Sequence, residues 1–268
     1  MRLLVVTPTL GLSPYLGAAV ESVSRTQLDI EHVLIAPGHA VGRLMRDHAH
    51  CTVVAEGAPA GMYAAIREGV RAAAPWDWFT YLNDDDLLDA GFAEVANRHM
   101  QLGDPLAIAY GDVKWIDENG ASLGRMPLEK NRHHVGYAMK LGLAPLTQQG
   151  ALVSRSLYDS LGGFDTRFRL AADFDFWARA FVAGASFRYY PLPVARWRIH
   201  GLQASADRSA AYRDAAMIAA ALPVRASRWR RKWEYLRFRL LNAGRYLERR
   251  RITGKWSSDA LFAAARQD

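Results

Sequence analysis

The apolar run Phe79-Thr80-Tyr81-Leu82 passes without a break into Asn83-Asp84-Asp85-Asp86. A buried strand that stops in three carboxylates projects them at the C-terminal edge of a sheet, where open α/β folds bind their ligands. Like charges this close repel one another unless a proton or a cation lies among them. A hard divalent ion, Mn²⁺ or Mg²⁺, suits such a cluster, because it takes few carboxylates and completes its shell with substrate phosphates. The triplet also reads as a polar loop capping the helix expected after Leu87, since Asp is a common N-cap.

The flanking residues set the fold class. Short apolar runs of strand type occur at Leu3–Thr7, His32–Ile35, Thr52–Ala55, Trp78–Leu82 and Ala107–Tyr110. Helical stretches separate them at Pro14–Arg25, Val41–His50, Gly61–Ala74 and Leu88–Leu102, the first with Ser13 as N-cap and Pro14 at the first helical position. This alternation predicts an α/β fold whose mainly parallel sheet is covered by helices on both faces. No G-x-G-x-x-G and no G-x-x-x-x-G-K-[ST] occurs, so neither a Rossmann dinucleotide site nor a P-loop is supported.

After Gly111 the pattern changes. Val113–Ile116 followed by Asp117-Glu118-Asn119-Gly120 predicts a hairpin turning at Asn-Gly. Residues 125–147 are polar and contain Pro127, His133, His134 and Pro145, which predicts a loop able to act as a lid. Gln149–Ser154, Phe187–Tyr190 and Val194–Ile199 read as strands and Asp173–Ala183 as a helix. Composition shifts to Arg and Trp near Leu222-Pro223. The expected organisation is one domain over 1–222, with halves at 1–112 and 113–222, followed by a helical basic extension at 223–268.

Half of the 268 residues are hydrophobic, yet no run of about 18 apolar residues appears, so no transmembrane helix is expected. Met1–Pro8 reads as a first strand and not as a signal-peptide core. The single cysteine, Cys51, excludes an internal disulfide, fits a reducing cytoplasm and reads as a small core residue. The net charge of +7 is uneven: 12 Lys/Arg and 2 acids lie between Arg225 and Lys255, and the remainder of the chain is at −3. The basic character therefore belongs to the tail.

A second acidic stretch follows Leu161-Gly162-Gly163-Phe164-Asp165, in Ala171-Ala172-Asp173-Phe174-Asp175-Phe176-Trp177-Ala178-Arg179. Asp173 opens an amphipathic helix and reads either as its N-cap or as a general base beside an acceptor hydroxyl. Together with Asp84–Asp86, this stretch resembles the family 2 glycosyltransferases, which have the GT-A fold. Six elements carry the resemblance, in order, over roughly residues 1–206. Val6-Thr7-Pro8-Thr9 is similar to the family's opening strand and nucleotide-contacting turn. Gly61–Gly69 is similar to a helix that typically reads GIYDAMNKG. Tyr81–Asp86 resembles the DXD metal motif, and Tyr110-Gly111-Asp112 a strand-end motif. Leu161–Asp165 with Ala172–Arg179 resembles the acceptor-side LGGFD…ED-x-D-x-W-x-R block, and Arg198-Ile199-His200 with Ser205 the closing R-x-H…S element.

The resemblance implies an inverting transfer from a nucleoside-diphosphate sugar to a glycan or lipid-linked acceptor, in surface polysaccharide or lipid-linked glycan assembly. Asp173 would be the catalytic base. Asp85, with Asp84 and His200, would hold the divalent cation, though His200 also reads as a structural strand-end residue. Thr7, Pro8, Thr9, Tyr63, Asn83 and Asp84 would line the nucleotide-sugar site, and Asp86 would orient the loop. The chain departs from the family where an acidic turn after the second strand is replaced by Ala36-Pro37-Gly38-His39, and where Ala60, Ala64, Arg67 and Ala172 stand for the usual Arg, Asp, Asn and Glu. These departures bear on the identity of the base and leave a degenerate, non-catalytic carbohydrate- or membrane-binding relative as an alternative. A sugar-phosphate nucleotidyltransferase is a further alternative, but Thr9–Pro14 lacks that class's basic glycine-rich signature.

In the tail, Trp229, Trp233, Leu236, Leu240 and Leu247 fall on one helical face, with Arg and Lys over much of the rest. Such a helix over 225–252 suits an anionic membrane surface, which would place the protein peripherally at the inner face of the plasma membrane. It also suits packing on the catalytic domain or on a second copy. Nucleic acid is the least supported partner, since no recognition motif accompanies the charge.

Overall fold

Leu3-Leu4-Val5-Val6 is apolar at every position, and a strand turns alternate side chains to opposite faces. Both faces therefore need cover. In the computed structural model, which describes residues 1–58, 60–201, 203 and 208–265, Leu3 and Val5 enter one core with Phe92 and Val95. Leu4 and Val6 enter another with Ile66 and Phe176. The sheet between these cores comprises β1 (Leu3–Pro8), β2 (Ile30–Ala36), β3 (Thr52–Ala55), β4 (Trp78–Tyr81), β5 (Leu87–Leu88), β6 (Ala107–Ile116), β7 (Ser122–Arg125), β8 (Leu152–Ser154) and β9 (Ser186–Arg198). Their order is β3-β2-β1-β4-β8-β6-β9-β5, with β7 paired to β6.

The first four strands of that order are parallel, as the strand–helix alternation predicts. From β8 onward the sheet is mixed: β8 is antiparallel to β4 and β6, β9 is parallel to β6, and β5 is antiparallel to β9. Helices α1 (Leu16–Ser24), α2 (Gly38–Asp47), α3 (Met62–Ala72) and α4 (Gly91–Met100) connect the early strands. Of these, α1 and α4 cover one face and α3 the other. Further cover on the α3 face comes from α5 (Val135–Lys140), α6 (Arg155–Ser160), α7 (Ala172–Val182) and α8 (Arg208–Ala221). Three helices complete the chain: α9 (Arg228–Leu241), α10 (Ala243–Thr253) and α11 (Ser258–Ala264). Among the described residues, no helix is long and apolar enough to cross a membrane.

Four expectations are corrected. The segments at 187–190 and 194–199 form one strand, β9; its Pro191 and Pro193 sit where the β6–β9 register shifts, and a bulge tolerates proline within a sheet. The Tyr110–Asp112 motif does not end a strand, because β6 runs on to Ile116. There Gly111 admits the close approach of β9, since a Cβ would fall 2.5 Å from Val194 Cγ1. The helix expected from Leu88 begins at Gly91, and Leu87–Leu88 pair with β9 instead. The polar segment 125–147 is no open loop. Leu128, Glu129, Val135, Met139 and Leu146 are all buried, and a 3₁₀ turn over Arg132–His134 leads into α5. The hairpin expected after Ile116 does form, with the Asp117 carboxylate accepting the N–H groups of Asn119 and Ala121.

Candidate functional site

The strand that ends in acids is β4, and all four of its residues are buried. The carboxylates that follow have different surroundings. Asp86 is wholly buried. It accepts hydrogen bonds from the Arg198 backbone N–H at 2.9 Å, Gln149 Nε2 at 3.0 Å and Asn83 Nδ2 at 3.3 Å. Arg198 in turn donates from Nε to the Asp85 carbonyl at 3.0 Å, and from its terminal nitrogen to the carbonyls of Asp117 and Glu118 at 2.9 Å. Asp86 thus fastens the loop to β9 and to the segment before β8. Burial, with Asp85 beside it, raises its pKa well above the ordinary value.

Asp84 and Asp85 lie at the mouth of this loop. Asp84 accepts from Thr9 Oγ1 at 2.5 Å, and its carbonyl accepts from Ser13 Oγ at 3.2 Å, which ties the β1–α1 connection to the acids. Burial, only partly offset by the Thr9 bond and reinforced by Asp85, pushes the Asp84 carboxyl up to about 6. The Asp85 carboxylate faces His200 Nε2 at 2.8 Å. The His200 ring lies 5.5 Å from the Tyr15 ring, which Arg198 covers at 4.3 Å. Ser205 of the closing element lies outside the described residues.

Asp173 is the second residue of α7, and its Oδ1 accepts the N–H of Phe174 at 2.8 Å. The residue that precedes the helix is Ala171, so Asp173 does not act as the N-cap. The Tyr63 hydroxyl also favours the charged form of Asp173, and Tyr81, on β4, donates to Tyr63 at 3.3 Å. Burial outweighs these bonds and raises the Asp173 pKa. The Tyr81 hydroxyl is held un-ionised by its own burial and by the fields of Tyr63, Asp173 and Asp86. Tyr81, the last residue of β4, thus lies within electrostatic reach of both Asp173 and Asp86.

The glycine pair before α7 explains how Asp173 is held there. Gly162 and Gly163 both adopt left-handed backbone, at φ +69° and +73°. The resulting turn is clamped by Arg179, which donates to the carbonyls of Leu161 at 2.7 Å and Gly163 at 2.9 Å. It delivers Phe164 onto the rings of Tyr63 at 5.3 Å, Tyr81 at 5.5 Å and Phe176 at 5.3 Å. This aromatic cluster fixes Tyr63 and Tyr81 in the line that ends on Asp173.

Of the residues read from sequence as site residues, the structure joins Thr9, Asn83, Asp84, Asp85 and His200 in one network and Tyr63 with Asp173 in a second. Pro8 ends β1 beside Thr9. Thr7 goes elsewhere: its hydroxyl is buried against His32 Nε2 at 2.9 Å, so its side chain faces the core and not the acids. Tyr63, in α3, faces Tyr81, Phe164 and Asp173. Sequence reading missed Gln149, Tyr15, Tyr81 and the splint role of Arg198. Tyr81 and Arg198 lay in recognised motifs, but a residue 112 positions from its partner, as Arg198 is from Asp86, gives no local signal. A cavity of about 430 Å³ lined by Arg67, Arg71, Trp76, Arg155 and Tyr158 lies at the opposite, N-terminal end of β4 and contains none of these acids.

Among the described residues, no group of three or more His, Cys, Asp or Glu forms a metal cage. A hard ion that completes its shell with substrate phosphates needs no such cage. The donor set at the mouth suits one: two carboxylates, an imidazole and Asn83 Oδ1, a buried acceptor without a hydrogen-bond partner.

No protein-family model matches the chain. It is 27% identical over 213 residues to a "PGL/p-HBAD biosynthesis glycosyltransferase" of Mycobacterium bovis, across 74% of this chain and 77% of that protein. The Mycobacterium tuberculosis protein of the same name matches to the same extent. Among solved structures, S. aureus TarS in complex with UDP-GlcNAc superposes with a TM-score of 0.62 at 12% identity, over 99% of this chain and 79% of that one. TarS in complex with UDP superposes at 0.59, also at 12% identity, over 91% and 72%. The chain therefore has the TarS-like α/β fold, a mixed sheet flanked by helices, and its sequence is similar to that of curated glycosyltransferases.

Proposed function

We propose that this protein is an inverting, divalent-cation-dependent glycosyltransferase of the GT-A, DXD type. It would move a sugar from a nucleoside-diphosphate sugar to a hydroxyl acceptor in the assembly of a cell-surface glycan. One observation carries the reading: a half-buried, hydrogen-bonded lone carboxylate, Asp173, lies near the end of β4, from which the acidic mouth Asp84–Asp85 follows. The names of the mycobacterial relatives support transfer of a sugar. The UDP and UDP-GlcNAc in TarS make a uridine donor the first candidate.

Asp173 accepts the acceptor hydroxyl's proton as that oxygen bonds to the anomeric carbon. The bond from that carbon to the diphosphate oxygen breaks on the opposite face, so configuration inverts. The raised pKa of Asp173 makes it a better proton acceptor than an exposed carboxylate. Asp85, Asp84 and His200 would hold Mn²⁺ or Mg²⁺; when bound, such an ion neutralises charge developing on the departing diphosphate. Thr9 and Asn83 would then orient Asp84 and the ribose side of the donor. The turn that usually supplies an acid to the base is here Pro37 leading straight into α2, with His39 exposed. Recognition of the base thus rests on groups other than that carboxylate.

A thermal-shift screen of UDP, GDP, dTDP and CMP, with and without Mn²⁺, tests the proposal. The expected result is stabilisation by one nucleoside diphosphate that requires the cation and disappears in Asp85→Ala. A folded protein that responds to no nucleotide would favour the degenerate binding relative.

A further inference from the structure

Helices α9 and α10 are amphipathic in the reverse sense. The residues turned to the body are Glu234, Phe238, Asn242, Arg245 and Arg249, all buried and four of them polar. Each polar side chain has a defined receptor. Glu234 bonds to His134 at 2.7 Å and to Arg237 at 3.0 Å, and Arg237 reaches on to Glu129. The Asn242 amide accepts the Leu128 N–H at 3.2 Å and donates to the Leu128 carbonyl at 3.1 Å. Arg245 donates to the Met126 carbonyl at 2.5 Å and pairs with Asp112, while Arg249 bonds to the Trp256 carbonyl.

The large apolar side chains point away. Trp229 is 80% exposed, Trp233 57%, Leu236 50%, Leu240 63% and Leu247 53%. A surface helix ordinarily buries such residues and solvates its charges, and an apolar stripe of this extent on a folded body marks an interaction site. Its chemical surroundings narrow the partner. Of the two acids in this segment, Glu234 is buried and Glu248 bonds back to Arg125 at 2.8 Å. The outward face therefore carries exposed Arg228, Arg231, Lys232, Arg239, Arg250 and Arg251 with no exposed acid between them.

We propose that this outward face docks on an anionic phospholipid surface. Trp229 and Trp233 would sit at the headgroup level, Leu236 and Leu240 in the upper acyl region, and the flanking arginines on lipid phosphates. A second copy of the chain would bring the same positive charge against itself. A nucleic acid would use the cations and the tryptophans but has no use for the exposed leucines. Because the polar face is fixed to 126–134 and to Asp112, docking needs no detachment of the tail. The bilayer would hold the catalytic body in one orientation.

Co-sedimentation of the full chain with phosphatidylcholine vesicles, with and without phosphatidylglycerol, tests this. Binding is expected only to the anionic vesicles and should fall as salt rises. Trp229→Ala/Trp233→Ala and Arg231→Glu/Lys232→Glu should each weaken it by roughly tenfold or more. Leu236→Ser/Leu240→Ser should weaken it too, and all these side chains are exposed, so each variant should melt like the parent. No binding by the folded parent, or binding that survives all three pairs of changes, would overturn the proposal. So would competition by duplex DNA that is unaffected by Leu236→Ser/Leu240→Ser, or a stable dimer in light scattering that those changes dissolve.

Discussion

Two sets of buried and half-buried carboxylates in this molecule have opposite surroundings. At the end of β4, Asp84, Asp86 and Asp173 are held by hydroxyls, amides and backbone N–H groups, and burial raises the pKa of each. Under α9, burial acts on Glu234 in the same upward direction, but hydrogen bonds from His134 and Arg237 outweigh it and bring its pKa below the ordinary value. Burial thus raises proton affinity in both places, and only a paired cation reverses it. The tail satisfies its acids from within the chain. The β4 cluster leaves its demand to be met from outside, by a proton, a cation or a substrate.

The contrast can be broken from either side. The largest effect is expected at the proposed base, Asp173. Asp173→Asn should lower turnover by roughly 10²–10⁴-fold while sparing donor-induced thermal shifts, and unchanged turnover would remove Asp173 from the chemistry. Next is the tail: Arg245→Leu leaves the buried Asp112 with only the Tyr189 hydroxyl and the more distant Arg125, and should cost about 3 kcal/mol in urea unfolding at neutral pH. A loss near zero would mean that this pair does not hold the tail.

A third prediction concerns pH. His32, buried beneath Thr7, has its pKa lowered from 6.5 to about 3 by burial and by nearby His50 and His48. Below 6.5 the unfolded chain binds a proton that the folded chain refuses. Stability is therefore complete above 6.5 and is lost as pH falls toward 3, by roughly 1.4 kcal/mol per pH unit. His99, lowered to about 4, acts in the same sense. His32→Gln cannot titrate and should reduce the slope of urea midpoint against pH without abolishing it; an unaltered slope would show that His32 is not responsible. The smallest effect is Tyr63→Phe. It removes the hydroxyl that accepts from Tyr81, at a cost of about 1 kcal/mol. Because that hydroxyl also favours the charged form of Asp173, its loss should raise the pKa of Asp173 further and move the acid limb of turnover to higher pH. A limb that stayed in place would separate Tyr63 from the base.

Much of the parallel half was legible in the sequence, because continuous apolar runs such as Leu3–Val6 and an acid-terminated strand are local signals. The glycine pair before α7 was legible for the same reason. What escaped was set by tertiary contacts. Glu129 is buried and His134 half-buried because α9 brings Arg237 and Glu234 to them, partners which no window over 125–147 contains. Pro191 and Pro193 suggested a break in a strand that only its bulged pairing with β6 keeps whole. The tail's apolar stripe was visible, but not that it faces outward, since spacing reports that a face exists and not which way it turns.

The splint formed by Arg198 has a consequence for the order in which the protein is made. Asp86 receives its backbone bond from a residue 112 positions later, and Gln149, its other long-range donor, is 63 positions away. A ribosome has therefore completed β1–β4 long before the acidic loop can close. During that interval the nascent chain carries Asp86 without its two long-range donors, exposed to solvent and proteases. Competence arrives abruptly, with the synthesis of β9. Chains that terminate before Arg198 should retain most of the parallel strands yet never assemble the loop.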